Sequence, residues 1–115
     1  MTDFSFTKSQ RLLTPTVFRH VFDAPDRKLH QAHLMAFVRQ NDNLGPRIGM
    51  AITKKKVPTA VNRNKVKRHI RERFRHVSSE LKSMDIVFIV KKSVNDLSNK
   101  ELDKQINDIF NKIKK

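Results

Sequence analysis

Apolar positions along the chain follow two rhythms, and each rhythm predicts a kind of element. Val17, Phe18, Val21 and Phe22 recur at helical spacing. Thr14 is a good N-cap type, and Pro15 suits the first helical position, where an N–H would be unpaired anyway. Ala24-Pro25-Asp26 should end that helix. Leu34–Arg39 and Arg47–Thr53 alternate face by face, with Ile48, Met50 and Ile52 on one side of the second. The turn formers Asn41-Asp42-Asn43-Leu44-Gly45-Pro46 lie between them, so the pair reads as a hairpin. Arg27–Leu29 is a candidate short edge strand.

A second helix is expected over Ala60–Val77, with Thr59 as N-cap. Asp85–Lys91 reads as a strand. Its core, Ile86-Val87-Phe88-Ile89-Val90, is continuously apolar, as in a strand covered on both faces. The last helix opens at Ser98, with Glu101 three residues on in a capping box. Leu102, Ile106, Ile109, Phe110 and Ile113 form its apolar stripe. Helix, strands, helix, strand, helix is the order of an α+β domain with helices packed on a small sheet. The chain shows no repeat, no low-complexity tract and no Gly-, Ser- or Pro-rich linker, so residues 1–115 read as one domain. Its packed part runs from about Ser5 to Ile113, and a short basic tail follows.

Composition removes several function classes. A chain of 115 residues can bury roughly two-thirds of its unfolded surface without a metal or disulfide. There is no cysteine, which excludes a disulfide framework, thiolate zinc and a thiol nucleophile. No apolar run approaches the roughly 18 residues that span a bilayer. Met1-Thr2-Asp3-Phe4-Ser5 lacks the pattern of a signal peptide. A cytoplasmic protein is expected.

Charge adds the partner. The chain carries +14, and Thr53–His76 alone holds ten basic residues against the single acid Glu72. Such a local excess repels itself unless a polyanion neutralises it, so nucleic acid is the leading partner and an anionic membrane surface the second. The helical count shows how the charge is arranged. With Val66 at zero, Ile70, Phe74 and Val77 fall within about 80° and form a buried stripe. Asn64, Lys67, Arg68, Arg71 and Arg75 fall between about 100° and 200°. One face can dock on a sheet while the adjoining face offers donors to phosphates, a role that suits the planar guanidinium fork. A merely solvated helix face would usually mix signs to gain i,i+4 pairs.

Two stretches then stand out together. Arg47-Ile48-Gly49-Met50-Ala51-Ile52-Thr53-Lys54-Lys55 and Ala60-Val61-Asn62-Arg63-Asn64-Lys65-Val66-Lys67-Arg68 resemble the signature of the bacterial ribonuclease P protein subunit. In that family a strand ending in Lys-Lys leads into a helix carrying Arg-Asn-x-x-Lys-Arg. Arg11-Leu12, Phe18, Phe22 and Asp85-Ile86-Val87-Phe88-Ile89 extend the resemblance over nearly the whole chain. One departure is Lys65, where the family motif often has Arg; it lies about 260° round, off the cationic face.

The resemblance implies a mostly antiparallel four-stranded sheet with three helices in α-β-β-β-α-β-α order. It also implies a left-handed strand–helix–strand crossover, as in ribosomal protein S5 domain 2. It implies a partner RNA that itself cleaves the 5′ leader from precursor tRNA, with Mg held by the RNA and substrate. The chain then carries no catalytic residue and no metal ligand, and one protein joins each RNA. Arg63, Asn64, Lys67, Arg68, Arg71 and Arg75 are the implied contacts to the catalytic RNA. Arg63 falls near 60°, beside the apolar stripe, where it could instead brace the helix start. Phe18, Phe22, Phe37, Lys54, Lys55 and Arg11 are the implied contacts to the leader, rings for bases and cations for the backbone. Phe18 and Phe22, at i,i+4, are more often core than binding surface.

Other signals carry less. For His30 and His33, and for His69 and His76, no acid or cysteine completes a metal-ligand set at a recognised spacing. His69 as a general base lacks an evident partner in the sequence. Composition alone would also fit another RNA-binding module, such as a ribosomal protein. A DNA-binding regulator using Lys56–Val77 as its recognition helix would need a preceding helix and tight turn, where the pattern shows a strand.

Overall fold

The computed structural model describes residues 15–41, 45–92, 94 and 97–114. The elements are α1 (Pro15–Asp23), β1 (Arg27–His30), β2 (Leu34–Gln40), β3 (Arg47–Ala51), α2 (Ala60–Val77), β4 (Met84–Val90) and α3 (Asn99–Lys114), with a 3-10 turn at Ser78–Glu80. Together they make the α+β architecture that the order of the patterns predicts. Thr14, the expected cap of α1, lies outside the described residues. The other two caps are in place. The Thr59 hydroxyl accepts from Asn62 N at 3.3 Å, and the Ser98 hydroxyl from Glu101 N at 3.1 Å.

The four strands form one sheet in the order β1-β2-β4-β3. β1–β2 and β2–β4 are antiparallel, whereas β3–β4 is parallel and joined through α2. The expected hairpin between the second and third strands is therefore overturned: β4 lies between them, and the true hairpin is β1–β2. The reason is the composition of β4. Ile86, Val87 and Phe88 are fully buried, and a strand apolar on both faces is best covered from the centre of a sheet. The connection after β2 is tied to β4 instead of folding β3 back. Asn41 N donates to Ser83 O, and Gly45 N to the Ser83 hydroxyl. Gly45 has φ +77, which suits a residue without a Cβ. β3 also ends at Ala51, two residues earlier than expected, because Thr53 starts a turn: its carbonyl accepts from Val57 N and its hydroxyl from Lys56 N.

Alternation along the strands separates two apolar layers. Ile86, Phe88 and Val90 join Leu34, Ala36, Val38 and Ile48 beneath α2 and α3. The stripes of Val66, Ile70, Phe74 and Val77 on α2 and of Leu102, Ile106, Ile109, Phe110 and Ile113 on α3 are buried as the helical count predicts. Phe110 stacks obliquely on Phe74 and Phe88, with centroids 6.3 and 5.3 Å apart. On the opposite face Val87, Met35 and Phe37 pack with Val21 of α1. α1 is held at its C-terminal end by Arg39, which donates to the carbonyls of His20 and Ala24. Pro25, lacking an N–H, cannot continue the helix.

Candidate nucleic-acid interface

α2 is an 18-residue helix whose first turn grows out of the loop after β3. Val57, fully buried, anchors that loop, and Lys54, Lys55 and Lys56 stand exposed on it. Arg63 folds back on the same loop, donating to the carbonyls of Val57 at 3.0 Å and Pro58 at 2.9 Å. It thus braces the helix start, as its position beside the apolar stripe allows.

Along the flank of α2, Asn64 and Arg68 are exposed, and Lys67 and Arg71 are half-buried. The side chains of these four make no hydrogen bond or ion pair among the described residues. Arg75 differs, since its guanidinium meets Glu72 one turn away. A flank of cations and one amide with no carboxylate over most of its length is a surface for polyanion. Lys65 turns elsewhere: with Asn62, Val94 and Leu102 it borders a small recess toward α3, in keeping with its place on the helical count.

Of the second group of site residues, the three rings gather on the α1 side of the sheet, while Lys54 and Lys55 stand apart on the loop before α2. Phe37 is only 7% exposed and forms a floor; Phe22 lies over it, 44% exposed, with ring centroids 4.8 Å apart. Phe18 is half-buried and stacks parallel to Phe22 at 6.5 Å. The ammonium of Lys28 sits 5.9 Å from the centre of the Phe37 ring. Arg11 lies outside the described residues. Of the three rings, Phe22 alone offers a large open face.

Two features escaped the sequence patterns. In the parallel register Ala51 faces Ile89, so the loop carrying Lys54 and Lys55 leaves the sheet at the same end as Lys91 and Lys92. Leu34 pairs with Val90, which brings the β1–β2 turn to that end too, and Lys91 Nζ lies 3.4 Å from His30 Nδ1. A hairpin of β2 and β3 would have hidden this convergence. The other feature is a partner for His69: its Nδ1 is 2.6 Å from the Asp103 carboxylate on α3. Thirty-four residues separate the two, so no local spacing announced the pair.

The comparisons with known proteins agree with the motifs. Residues 6–114 match the family model described as Ribonuclease P. A ribonuclease P protein component from Psychrobacter sp. (strain PRwf-1) is 52% identical over 113 residues, covering 98% of this chain and 87% of that protein. The RNase P protein from Thermotoga maritima superposes with a TM-score of 0.74 at 26% identity, over 91% of this chain and 96% of that one. The RNase P protein from Staphylococcus aureus shares the fold with a TM-score of 0.83 at 22% identity, over 94% of this chain and all of that one. With signature, architecture and relatives in accord over nearly its whole length, the chain belongs to the ribonuclease P protein component family, whose members take part in tRNA processing.

Proposed function

We propose that this chain binds the catalytic RNA of ribonuclease P along α2 and the 5′ leader of precursor tRNA on the α1 side of the sheet. The observation that carries this reading is the flank formed by Asn64, Lys67, Arg68 and Arg71, which has no carboxylate partner among the described residues. Placed where RNA strands crowd, such a flank relieves their repulsion and lets the RNA fold compactly at lower salt. Arg63 adds charge at the helix start while holding the loop in place, and Arg75 contributes once it exchanges Glu72 for phosphate.

On the other side, Phe22 supplies a ring on which a base stacks, with Phe18 beside it and Phe37 as backing. Lys54, Lys55, Lys91 and Lys92, together with Arg11, track the backbone of the leader. The reaction is endonucleolytic hydrolysis of a phosphodiester, carried by the RNA with the magnesium ions that it and the substrate hold. The chain's own part is to bind, to orient the leader and to lower the electrostatic cost of bringing polyanions together.

The test is a cleavage assay with ribonuclease P RNA and precursor tRNA at low magnesium. Added protein should raise the cleavage rate over RNA alone. An unchanged rate overturns the proposal and favours a different RNA-binding role.

A further inference from the structure

The flank of α2 opposite the cationic row faces α3, and a groove of about 310 Å³ opens between them. Every residue lining it has a polar or charged side chain, though carbon atoms make up much of the exposed wall: His69, Glu72, Arg73 and His76 from α2, with Asp103 and Asn107 from α3. That volume lies at the lower end of the range for small-ligand sites. Three observations narrow what it fits. Arg73 Nε and Asn107 Oδ1 are both shielded from solvent without a hydrogen-bond partner among the described residues. Shielded polar atoms of this kind favour a partner that can donate to one and accept from the other. Asp103 Oδ1 is held by His69, which leaves Oδ2 as a fixed acceptor at the groove. Glu72 is held by Arg75, so neither carboxylate neutralises Arg73 through a direct pair.

Charge then separates the possible ligands. With the histidines left aside, one guanidinium, Arg73, stands against two carboxylates in the lining, Glu72 and Asp103. A third anion gains nothing there, which disfavours phosphate. A planar, neutral ligand carrying both donors and acceptors gains most. We infer that this groove takes an unpaired guanine base. Guanine offers N1–H and N2–H to a carboxylate, and O6 and N7 to an arginine fork. Asp103 Oδ2 is the acceptor, Arg73 the fork and Asn107 a further partner, after modest rotation of the last two side chains. The imidazole of His69, fixed by Asp103, supplies a plane for stacking. The source of the base follows from the proposed function, on which this inference rests: an RNA lying on the cationic flank of α2 can pass one unpaired nucleotide across the helix into the groove.

Two measurements test it. First, the isotope-labelled full chain is titrated with GMP, AMP and inorganic phosphate and followed by NMR. GMP should shift the Asn107 side-chain amide and the backbone signals of His69, Arg73 and Asp103, with AMP about tenfold weaker and phosphate without effect there. Phosphate acting on the same signals, or GMP and AMP acting equally, overturns the inference. Second, Arg73→Lys keeps the charge and loses the fork, and Asn107→Leu removes the amide. Each should weaken binding to ribonuclease P RNA about five- to tenfold, with an unchanged circular dichroism spectrum and an unchanged salt dependence. Unaltered affinity, or a loss that comes with a shallower salt dependence, overturns it. A wild-type chain that fails to bind the RNA at all would overturn the proposed function, while the GMP titration still reads the groove by itself.

Discussion

Arg47 and Asp85 are register partners across the parallel β3–β4 pair, and their side chains meet fork to fork: Nε to Oδ1 at 2.7 Å and Nη2 to Oδ2 at 2.9 Å. Asp85 is the one buried charged residue among those described, and Asn41 Nδ2 donates to it as well, at 2.9 Å. The hydrogen bonds it donates to Asp85 hold the Arg47 guanidinium above its ordinary pKa, against the opposing pull of its partial burial. The cluster therefore joins the end of β2, the start of β3 and the start of β4. It stands where the chain leaves β2 without making a hairpin.

Removing one partner of such a pair leaves the other charge unmatched in a poorly solvated place. Asp85→Ala should cost about 3 kcal/mol of folding stability, read as a lower urea midpoint with an unchanged slope. A loss under about 1 kcal/mol would mean that water replaces the carboxylate freely and that the pair contributes little.

Arg68 tests the electrostatic reading of α2. It is exposed and makes no ion pair among the described residues, so Arg68→Ala should leave the circular dichroism spectrum and melting temperature unchanged. With about five phosphate contacts, the logarithm of the wild-type affinity for the catalytic RNA should fall with the logarithm of salt at a slope near −3.5 to −4.5. The variant should bind more weakly, with a slope smaller by about one. A loss of fold instead would place Arg68 among structural residues.

How much of this was readable in the chain differs from element to element. The interior of α2 was legible because one helix obeys one period: Val66, Ile70, Phe74 and Val77 repeat at its turns and are buried together. Thr59 and Ser98 were legible as caps because a cap is a local contact. The order of the strands was not. A run such as Ile86–Val90 announces burial on both faces but does not name its neighbours, and the turn formers at 41–46 suit any reversal of direction. Site residues followed the same division. The cationic flank of α2 came from the helical count, whereas Lys91, Lys92 and the His69–Asp103 contact depend on strands and helices distant in sequence. Arg63 stood on the border between the two, and its hydrogen bonds to Val57 and Pro58 give it a structural part.

The rings of the α1 side separate by exposure. Phe37→Ala removes a buried ring and should destabilise the fold by about 3–5 kcal/mol. Phe22→Ala removes a ring that is 44% exposed, so it should cost far less stability. If a leader base stacks on Phe22, that variant should weaken binding of precursor tRNA by about 1–3 kcal/mol and leave binding of mature tRNA unaltered. Equal loss for both tRNAs would detach Phe22 from the leader.

Lys92 tests whether the end of the sheet shared by β3 and β4 forms a single track. It is exposed, and it follows the strand that runs parallel to the one leading into Lys54 and Lys55. A backbone that passes Lys54 and Lys55 while a base reaches Phe22 has to cross this end of the sheet, because the register sets the two basic segments side by side. An exposed charge contributes up to about 1 kcal/mol to such a contact, so Lys92→Ala should weaken precursor binding by about two- to fivefold. The loss should appear only with leaders long enough to reach the lysine and should shrink at high salt. Combining Lys92→Ala with Lys54→Ala offers a sharper measure. If both side chains hold the same stretch of leader, the double variant should lose less than the two single losses added, because the first substitution already frees that stretch. Strict additivity would place the two lysines on separate paths.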